Sequence, residues 1–138
     1  MSALDYVGLN SYPDVFGGRI APEHLRTAVE QALRHFRANV QTAGIPASVP
    51  IRITEHGWPT GPDRTYERQA EFLEMVIRTI SDLREGLNIT HYELFGLRDA
   101  DSSNEKLFYQ FGIVQDDYTP KPAFFTYQQL IAELSAQQ

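Results

Sequence analysis

The sequence predicts an α/β fold of about three strand–helix units with parallel strands. The first observation is an order that occurs three times: a run typical of a strand, a long loop and an amphipathic helix. Successive units of this kind give parallel strands joined by right-handed crossovers. The second is that the loops after the strands are longer than those before them and carry more polar residues. In α/β folds, functional sites are built on that side of the sheet.

The first unit combines a strand over residues 4–10 with a helix that begins at Pro22. Proline suits the first helical position because its fixed backbone angle fits the helix and its missing N–H is not needed there. Apolar residues recur at helical spacing as far as Val40, and Gly44 then ends the helix.

The second unit begins with a short strand over residues 50–55. Strict alternation places Ile51, Ile53 and Glu55 on one face and Arg52 and Thr54 on the other. We therefore expect Arg52 to point towards the helix layer, where it pairs with a helix carboxylate or reaches the rim. The following helix begins near Thr65, a suitable N-cap, and ends at Gly86.

The third unit has a strand over residues 87–95 and a helix that begins at Pro122. Between them lie a polar loop and residues 107–114, which we predict to form a short extended pair broken at Gly112.

Composition excludes several classes of protein. The 138 residues carry a formal net charge of −6, are 42% hydrophobic and include no cysteine. An acidic chain without a Lys/Arg cluster argues against nucleic acid and anionic membranes as partners. No phosphate-binding loop or metal-ligand spacing is present, so we expect no cofactor and no metal.

The length of the chain and its first residues limit how it can be organised. We expect residues 1–138 to form a single domain. Residues 1–5 lack the basic and apolar segments of a secretion signal, and no apolar run is long enough to span a bilayer. We expect a soluble chain, and the sequence does not indicate its cellular compartment.

Glu55 is the first candidate for chemistry. Two branched apolar residues followed by a carboxylate at the carboxyl end of a strand fit a barrel interior that opens into an active site. The alternative is a solvated glutamate at a strand end. Trp58 lies three residues on and offers a flat aromatic surface for a sugar ring, or simply packs in a loop or core.

Residues 53–60 (ITEHGWPT) resemble the strand that carries the nucleophilic glutamate in clan A glycoside hydrolases. The Glu-x-Gly-Trp-Pro run is most similar to the endo-β-1,3-glucanase family of that clan. Further segments agree with the preceding strand, the last strand and the closing helix of such enzymes: residues 5–13 (DYVGLNSYP), 92–99 (YELFGLRD), 111–113 (FGI) and 120–124 (PKPAF).

The resemblance implies a (β/α)8 TIM barrel of which this chain supplies strands six to eight, a partial barrel. It implies a retaining mechanism with Glu55 as the nucleophile and with Tyr12, at the end of the preceding strand, hydrogen-bonded to it. The remaining expected sugar or site contacts are Asn10, His56, Trp58, Phe95, Arg98 and Asp99. Phe95 takes a position on the last strand where relatives often have Trp. Arg98 and Asp99 either pair with each other or bind sugar hydroxyls at the rim.

A retaining glycosidase also needs a protonated second carboxyl about 5–5.5 Å from the nucleophile. In the clan this is a glutamate that follows an asparagine at the end of strand four, and no such pair ends a strand here. The acids that remain as candidates are Glu93, Asp99, Asp101 and Glu105, and each is more simply a solvated or ion-paired acid.

A complete barrel of this type has about 250 residues. Three parallel strands leave two open edges and an uncovered face, which invite association. The expected partners are a β-glycoside and either the missing N-terminal barrel half or further copies of the chain. The sequence thus predicts the nucleophile-bearing part of a retaining glycoside hydrolase. The alternative is a non-catalytic half-barrel, either a carbohydrate-binding remnant or an oligomerising scaffold.

Overall fold

Strands and helices alternate along the chain in the computed structural model, which describes residues 4–136. In chain order they are β1 (Val7–Ser11), α1 (Pro22–Thr42), β2 (Ile51–His56), α2 (Tyr66–Leu87), β3 (Ile89–Leu94) and α3 (Pro122–Ser135). The strands form one parallel sheet in the order β1-β2-β3. This is an α/β partial barrel, and the predicted fold class is confirmed.

The helices begin where the sequence places them. Pro22 and Pro122 occupy the first turns of α1 and α3. The Thr65 hydroxyl accepts a hydrogen bond of 3.1 Å from the backbone N–H of Arg68, as an N-cap should. Gly44, with φ of 84°, follows the end of α1 in the left-handed conformation that favours glycine.

Residues 107–114 do not form the predicted extended pair. Residues Leu107–Tyr109 form a single 3-10 turn, and Val114 bridges to Arg98. A Cβ on Gly112 would lie 2.2 Å from the backbone nitrogen of Asp99. The segment therefore packs against the loop that follows β3 instead of pairing with itself, and only glycine allows that approach.

Contacts along the backbone divide the chain into two units. The sheet unit comprises Met1–His56 and Arg78–Glu93, and the loop unit comprises Gly57–Ile77 and Leu94–Gln138. The sheet unit is packed around apolar side chains of α1, β2, the last part of α2 and β3. Its buried residues include Leu25, Val29, Leu33, Ile51, Ile53, Ile80 and Ile89.

Arg37 is a buried cation in the sheet unit. Its side chain, on α1, is 5% exposed. The guanidinium donates to the backbone oxygens of Val49 at 3.0 Å and Leu87 at 2.6 Å, and these bonds tie the segment before β2 to the end of α2. Burial lowers the pKa of Arg37, yet the charged group is satisfied by carbonyl dipoles.

The loop unit has its own core and its own buried cation. Trp58, Phe72, Leu73, Val76, Phe111, Ile113, Ala123 and Leu130 are buried there. Lys121 Nζ lies 2.8 Å from each carboxylate oxygen of Asp99, and both side chains are fully buried. Thr60 Oγ1 accepts a further hydrogen bond from Lys121 at 3.0 Å. Burial lowers the pKa of Lys121, while the contact with Asp99 opposes that shift.

Within residues 4–136, no helix has both the length and the apolar character needed to cross a bilayer. The prediction that no secretion signal is present concerns residues 1–5, of which residues 1–3 lie outside the described residues.

Candidate active site

The pairing of β1 with β2 shows which side of the sheet carries Glu55. Residues paired between parallel strands share a face. Leu9 pairs with Ile53 on the buried face, where Ile53 is fully buried. Gly8 and Asn10, on the opposite face of β1, are exposed. Because Asn10 pairs with Glu55, Glu55 lies on this open face.

The alternation predicted for β2 holds as far as Thr54, which lies on the open face beside Gly8 and Asn10, and is wrong from Glu55 onwards. The register shifts between Leu9 and Asn10, so that Thr54 and Glu55 together oppose Asn10. This is a β-bulge, in which one extra residue reverses the faces of those that follow. Glu55 consequently does not share a face with Ile53, and His56, which pairs with Ser11, is fully buried.

The predicted orientation of Arg52 is wrong for a different reason, because Arg52 precedes the bulge: Ile51 and Ile53 face the buried core, so Arg52, on the other face of β2, lies on the open face. Gly8 pairs with Arg52 on the open face, not on the helix side. The guanidinium carbon of Arg52 lies 4.2 Å from the centre of the Tyr6 ring, a cation–π contact.

Tyr12 and Glu55 form the central contact of the site. The Tyr12 hydroxyl donates to Glu55 Oε2 at 2.7 Å, a length typical of a hydrogen bond to an ionised carboxylate. Burial, this hydrogen bond and the charge of Glu55 together raise the pKa of Tyr12 far above its ordinary value. The phenol therefore stays protonated and remains a donor to Glu55.

The side-chain amide of Asn10 is oriented by Thr54. Thr54 Oγ1 donates to Asn10 Oδ1 at 2.7 Å. Since the amide oxygen faces Thr54, the NH2 group of Asn10 is left to donate elsewhere on the open face.

His56 was expected to contact substrate, but its ring is fully buried. Its Nδ1 lies 2.6 Å from the hydroxyl of Tyr92 on β3. Burial lowers the pKa of His56 from 6.5 to about 3, so the imidazole is neutral at ordinary pH. The structure gives His56 a role in joining β2 to β3.

Trp58 lies in the core of the loop unit. Its side chain is 2% exposed and stacks on Phe72 with ring centres 5.3 Å apart. The backbone oxygen of Trp58 accepts a hydrogen bond of 2.9 Å from Gln69. The ring therefore packs as a core residue and does not present an open platform to a sugar.

Arg98 and Asp99 do not pair with each other in the described part of the chain. Arg98 donates to the backbone oxygen of Asp116 at 3.0 Å and stacks on Tyr118. The Asp99 carboxylate binds Lys121 and accepts from the backbone N–H of Gly112 at 2.8 Å. Asp99 is therefore a buried structural anion.

Phe95, by contrast, is exposed: 45% of its surface is accessible, and its ring rests edge-on against Phe111.

The other candidate acids have local explanations. Glu93 lies 3.3 Å from His91 at the surface. Hydrogen bonds from Ser103 lower the pKa of Asp101, which is the opposite of what a general acid requires. Glu105 is exposed.

Across residues 4–136, no group of three or more His, Asp or Glu side chains is arranged to hold a metal ion. The chemistry available at the open face is that of a carboxylate with a fixed phenol donor. Such a carboxylate can act as a nucleophile or stabilise a developing positive charge.

Sequence reasoning missed two contributors, Thr54 and Tyr92. Thr54 was placed on the face opposite Glu55 because a bulge leaves no simple mark in a pattern of alternating residues. Tyr92 could have been predicted, because a tyrosine on the strand that follows His56 is a natural hydrogen-bond partner for the histidine.

No protein family matches the chain, and no curated protein matches it. Solved structures do. The β-glucuronidase of Lactobacillus rhamnosus aligns with 91% of this chain at 27% identity and a TM-score of 0.65. The Ruminococcus gnavus β-glucuronidase in complex with uronic isofagomine aligns with 94% at 20% identity and a TM-score of 0.71. The Bifidobacterium dentium β-glucuronidase bound to coumarin-3-O-glucuronide aligns with 94% at 18% identity and a TM-score of 0.69.

These alignments cover nearly all of this chain but only a small part of the others. The chain spans 22% of the Lactobacillus rhamnosus and Ruminococcus gnavus proteins and 21% of the Bifidobacterium dentium protein. The fold of this chain is thus that of one segment of a TIM-barrel glycoside hydrolase.

Proposed function

We propose that this chain is the nucleophile-bearing part of a retaining β-glycoside hydrolase, with Glu55 attacking the anomeric carbon. The observation that carries the proposal is the position of Glu55 on the open face at the carboxyl end of β2, hydrogen-bonded by Tyr12 at 2.7 Å. Active sites of TIM-barrel enzymes lie at this end of the strands. The likeness to β-glucuronidases supports the same chemistry.

In the proposed reaction, Glu55 displaces the leaving oxygen and forms a covalent glycosyl–enzyme intermediate. Water then releases the sugar with its anomeric configuration retained. A second carboxyl first protonates the leaving oxygen and later accepts a proton from the water. We propose that this acid belongs to strands beyond those described, because Asp99 is paired with Lys121 and Asp101 has a lowered pKa.

Two sugar classes are proposed as substrates. The structural neighbours are β-glucuronidases, which favours a β-glucuronide. The sequence around Glu55 resembles endo-β-1,3-glucanases, which favours a β-1,3-linked glucan. Dinitrophenyl glycosides of both sugars distinguish these two classes. Their leaving group departs without protonation, so the first step, which releases dinitrophenolate, does not need the second carboxyl.

The test compares the release of dinitrophenolate from these glycosides by the wild-type chain and by Glu55→Gln. We expect release by the wild type and none above background by the variant. Azide added to Glu55→Ala should restore release and give the α-glycosyl azide, since azide then attacks the face that Glu55 occupied. Equal rates for wild type and Glu55→Gln would contradict the proposal and favour the non-catalytic half-barrel.

We also propose that residues 1–138 act as one partial-barrel domain and that its open sheet is covered in the working protein. β1 and β3 are the outer strands of the sheet, and exposed strand edges favour pairing with further strands. The cover is either the missing barrel segment or a second copy. Light scattering at micromolar concentration tests the second copy: a stable oligomer supports it and a monodisperse monomer contradicts it.

A further inference from the structure

Three consecutive residues at the carboxyl end of β2 are each tied to another segment of the sheet unit. The middle one is Glu55, and the residues on either side of it are bound through their own side chains. The contacts are Thr54 Oγ1 to Asn10 Oδ1 at 2.7 Å, Tyr12 Oη to Glu55 Oε2 at 2.7 Å, and His56 Nδ1 to Tyr92 Oη at 2.6 Å.

The bulge explains why such ties are needed. Thr54 is the extra residue of β2 and has no partner in the register with β1, so the ladder alone does not fix the backbone that leads into Glu55. The hydrogen bond from Thr54 to Asn10 supplies that constraint. Gly8 leaves room for it, because a Cβ on Gly8 would lie 3.2 Å from Thr54 Oγ1.

The other side of Glu55 is held by a different strand. The imidazole of His56 is fully buried and meets the phenol of Tyr92, which belongs to β3. The peptide units on both sides of the carboxylate are thus anchored, one to β1 and one to β3.

We propose that Thr54 and Tyr92 are positioning residues for Glu55, which hold the carboxylate within reach of Tyr12 and of the anomeric carbon without touching the substrate themselves. The inference rests on the proposed nucleophilic role of Glu55. Attack on carbon requires the reacting atoms to be closely aligned, and a misplacement of about 1 Å costs on the order of a hundredfold in rate.

The test uses conservative variants of the full chain. Thr54→Val removes the hydroxyl and keeps the shape, Thr54→Ser keeps the hydroxyl, and Tyr92→Phe removes the phenol oxygen. Thr42→Val, whose hydroxyl bonds within α1, and Tyr118→Phe, at an exposed ring, are matched controls. Circular dichroism and thermal melts establish that each variant is folded.

The first readout is the rate of covalent labelling by an activated 2-deoxy-2-fluoro β-glycoside, for both sugars. We expect labelling to slow about tenfold to a hundredfold in Thr54→Val and in Tyr92→Phe. Thr54→Ser and both controls should label at the wild-type rate. A merely structural role would lower the melting temperature and leave the rate of the folded fraction unchanged, which would overturn the inference.

The second readout needs no chemistry. The hydroxyl proton of Tyr12, bonded to Glu55, should give a slowly exchanging proton resonance in wild type, Thr54→Ser and the controls, and should be lost or broadened in Thr54→Val and Tyr92→Phe. An unchanged resonance in both folded variants would overturn the inference. Failure of the wild type to label would contradict the nucleophilic role, and this resonance would still decide whether Thr54 and Tyr92 hold the carboxylate.

Discussion

Acidification from pH 7 to pH 5 should destabilise the sheet unit through His56. Its ring is fully buried and its pKa is lowered to about 3, against 6.5 for an ordinary histidine. Below pH 6.5 the histidine is therefore protonated in the unfolded chain but not in the folded chain. Because the unfolded state binds more protons, the free energy of unfolding falls as the pH falls.

The magnitude follows from the width of that window. Each pH unit below 6.5 and above the folded pKa costs about 1.4 kcal/mol. From pH 7 to pH 5 the loss attributable to His56 is about 2 kcal/mol. The window ends at pH 5 because ordinary carboxylates begin to titrate below it.

Urea denaturation at pH 7 and pH 5 measures this loss. The matched variant is His56→Asn, which does not titrate but keeps a polar atom near Nδ1 to face Tyr92. We expect its loss of stability between the two pH values to be smaller than that of the wild type by about 2 kcal/mol. Equal losses would refute the reasoning, as would an NMR titration in which the His56 ring is protonated at pH 5.

Three further changes test the packing, and each is measured by urea denaturation at pH 7. Asp99→Ala should lower the free energy of unfolding by about 3–5 kcal/mol, because it leaves the fully buried ammonium of Lys121 without its counter-charge; a loss below about 1 kcal/mol, typical of an exposed pair, would show that the pair is not buried in solution. Gly57→Ala should fail to fold or lose several kcal/mol, since its Cβ would lie 1.8 Å from the backbone oxygen of Phe95; a wild-type melting curve would contradict that close approach. Arg37→Met should cost about 3 kcal/mol by leaving buried carbonyls without a donor, and a neutral effect would show that water replaces the guanidinium.

Most of the fold could be predicted because its signals are local. Pro22 and Pro122 start helices through their own backbone geometry, and Thr65 caps α2 through a bond three residues away. The strands were found within a few residues because apolar runs between turn-forming residues mark buried strands.

The errors arose where a distant contact decided the outcome. The bulge at Thr54 depends on how β2 is paired with β1, and no pattern within β2 reports it. The burial of Trp58 depends on Phe72 of α2, and the burial of Asp99 depends on Lys121. Trp58 and Asp99 were candidates for contact with substrate, but in the structure both side chains make contacts within the core.

Only part of the candidate site could be predicted from the sequence. The contact between Tyr12 and Glu55 was implied by the resemblance to clan A glycoside hydrolases, and the structure has this hydrogen bond at 2.7 Å. The anchors on either side of Glu55 could not be placed, since they require the register of three strands at once.

The central claim is that Glu55 is a nucleophile at the open face of a partial barrel. Incubation of the 138-residue chain with activated 2-deoxy-2-fluoro β-glycosides, followed by peptide mapping in a mass spectrometer, tests it most directly. The account predicts a single fluoroglycosyl group, attached to the peptide that contains Glu55 and absent from Glu55→Gln. A label on another carboxylate, or none at any concentration of either sugar, would contradict it.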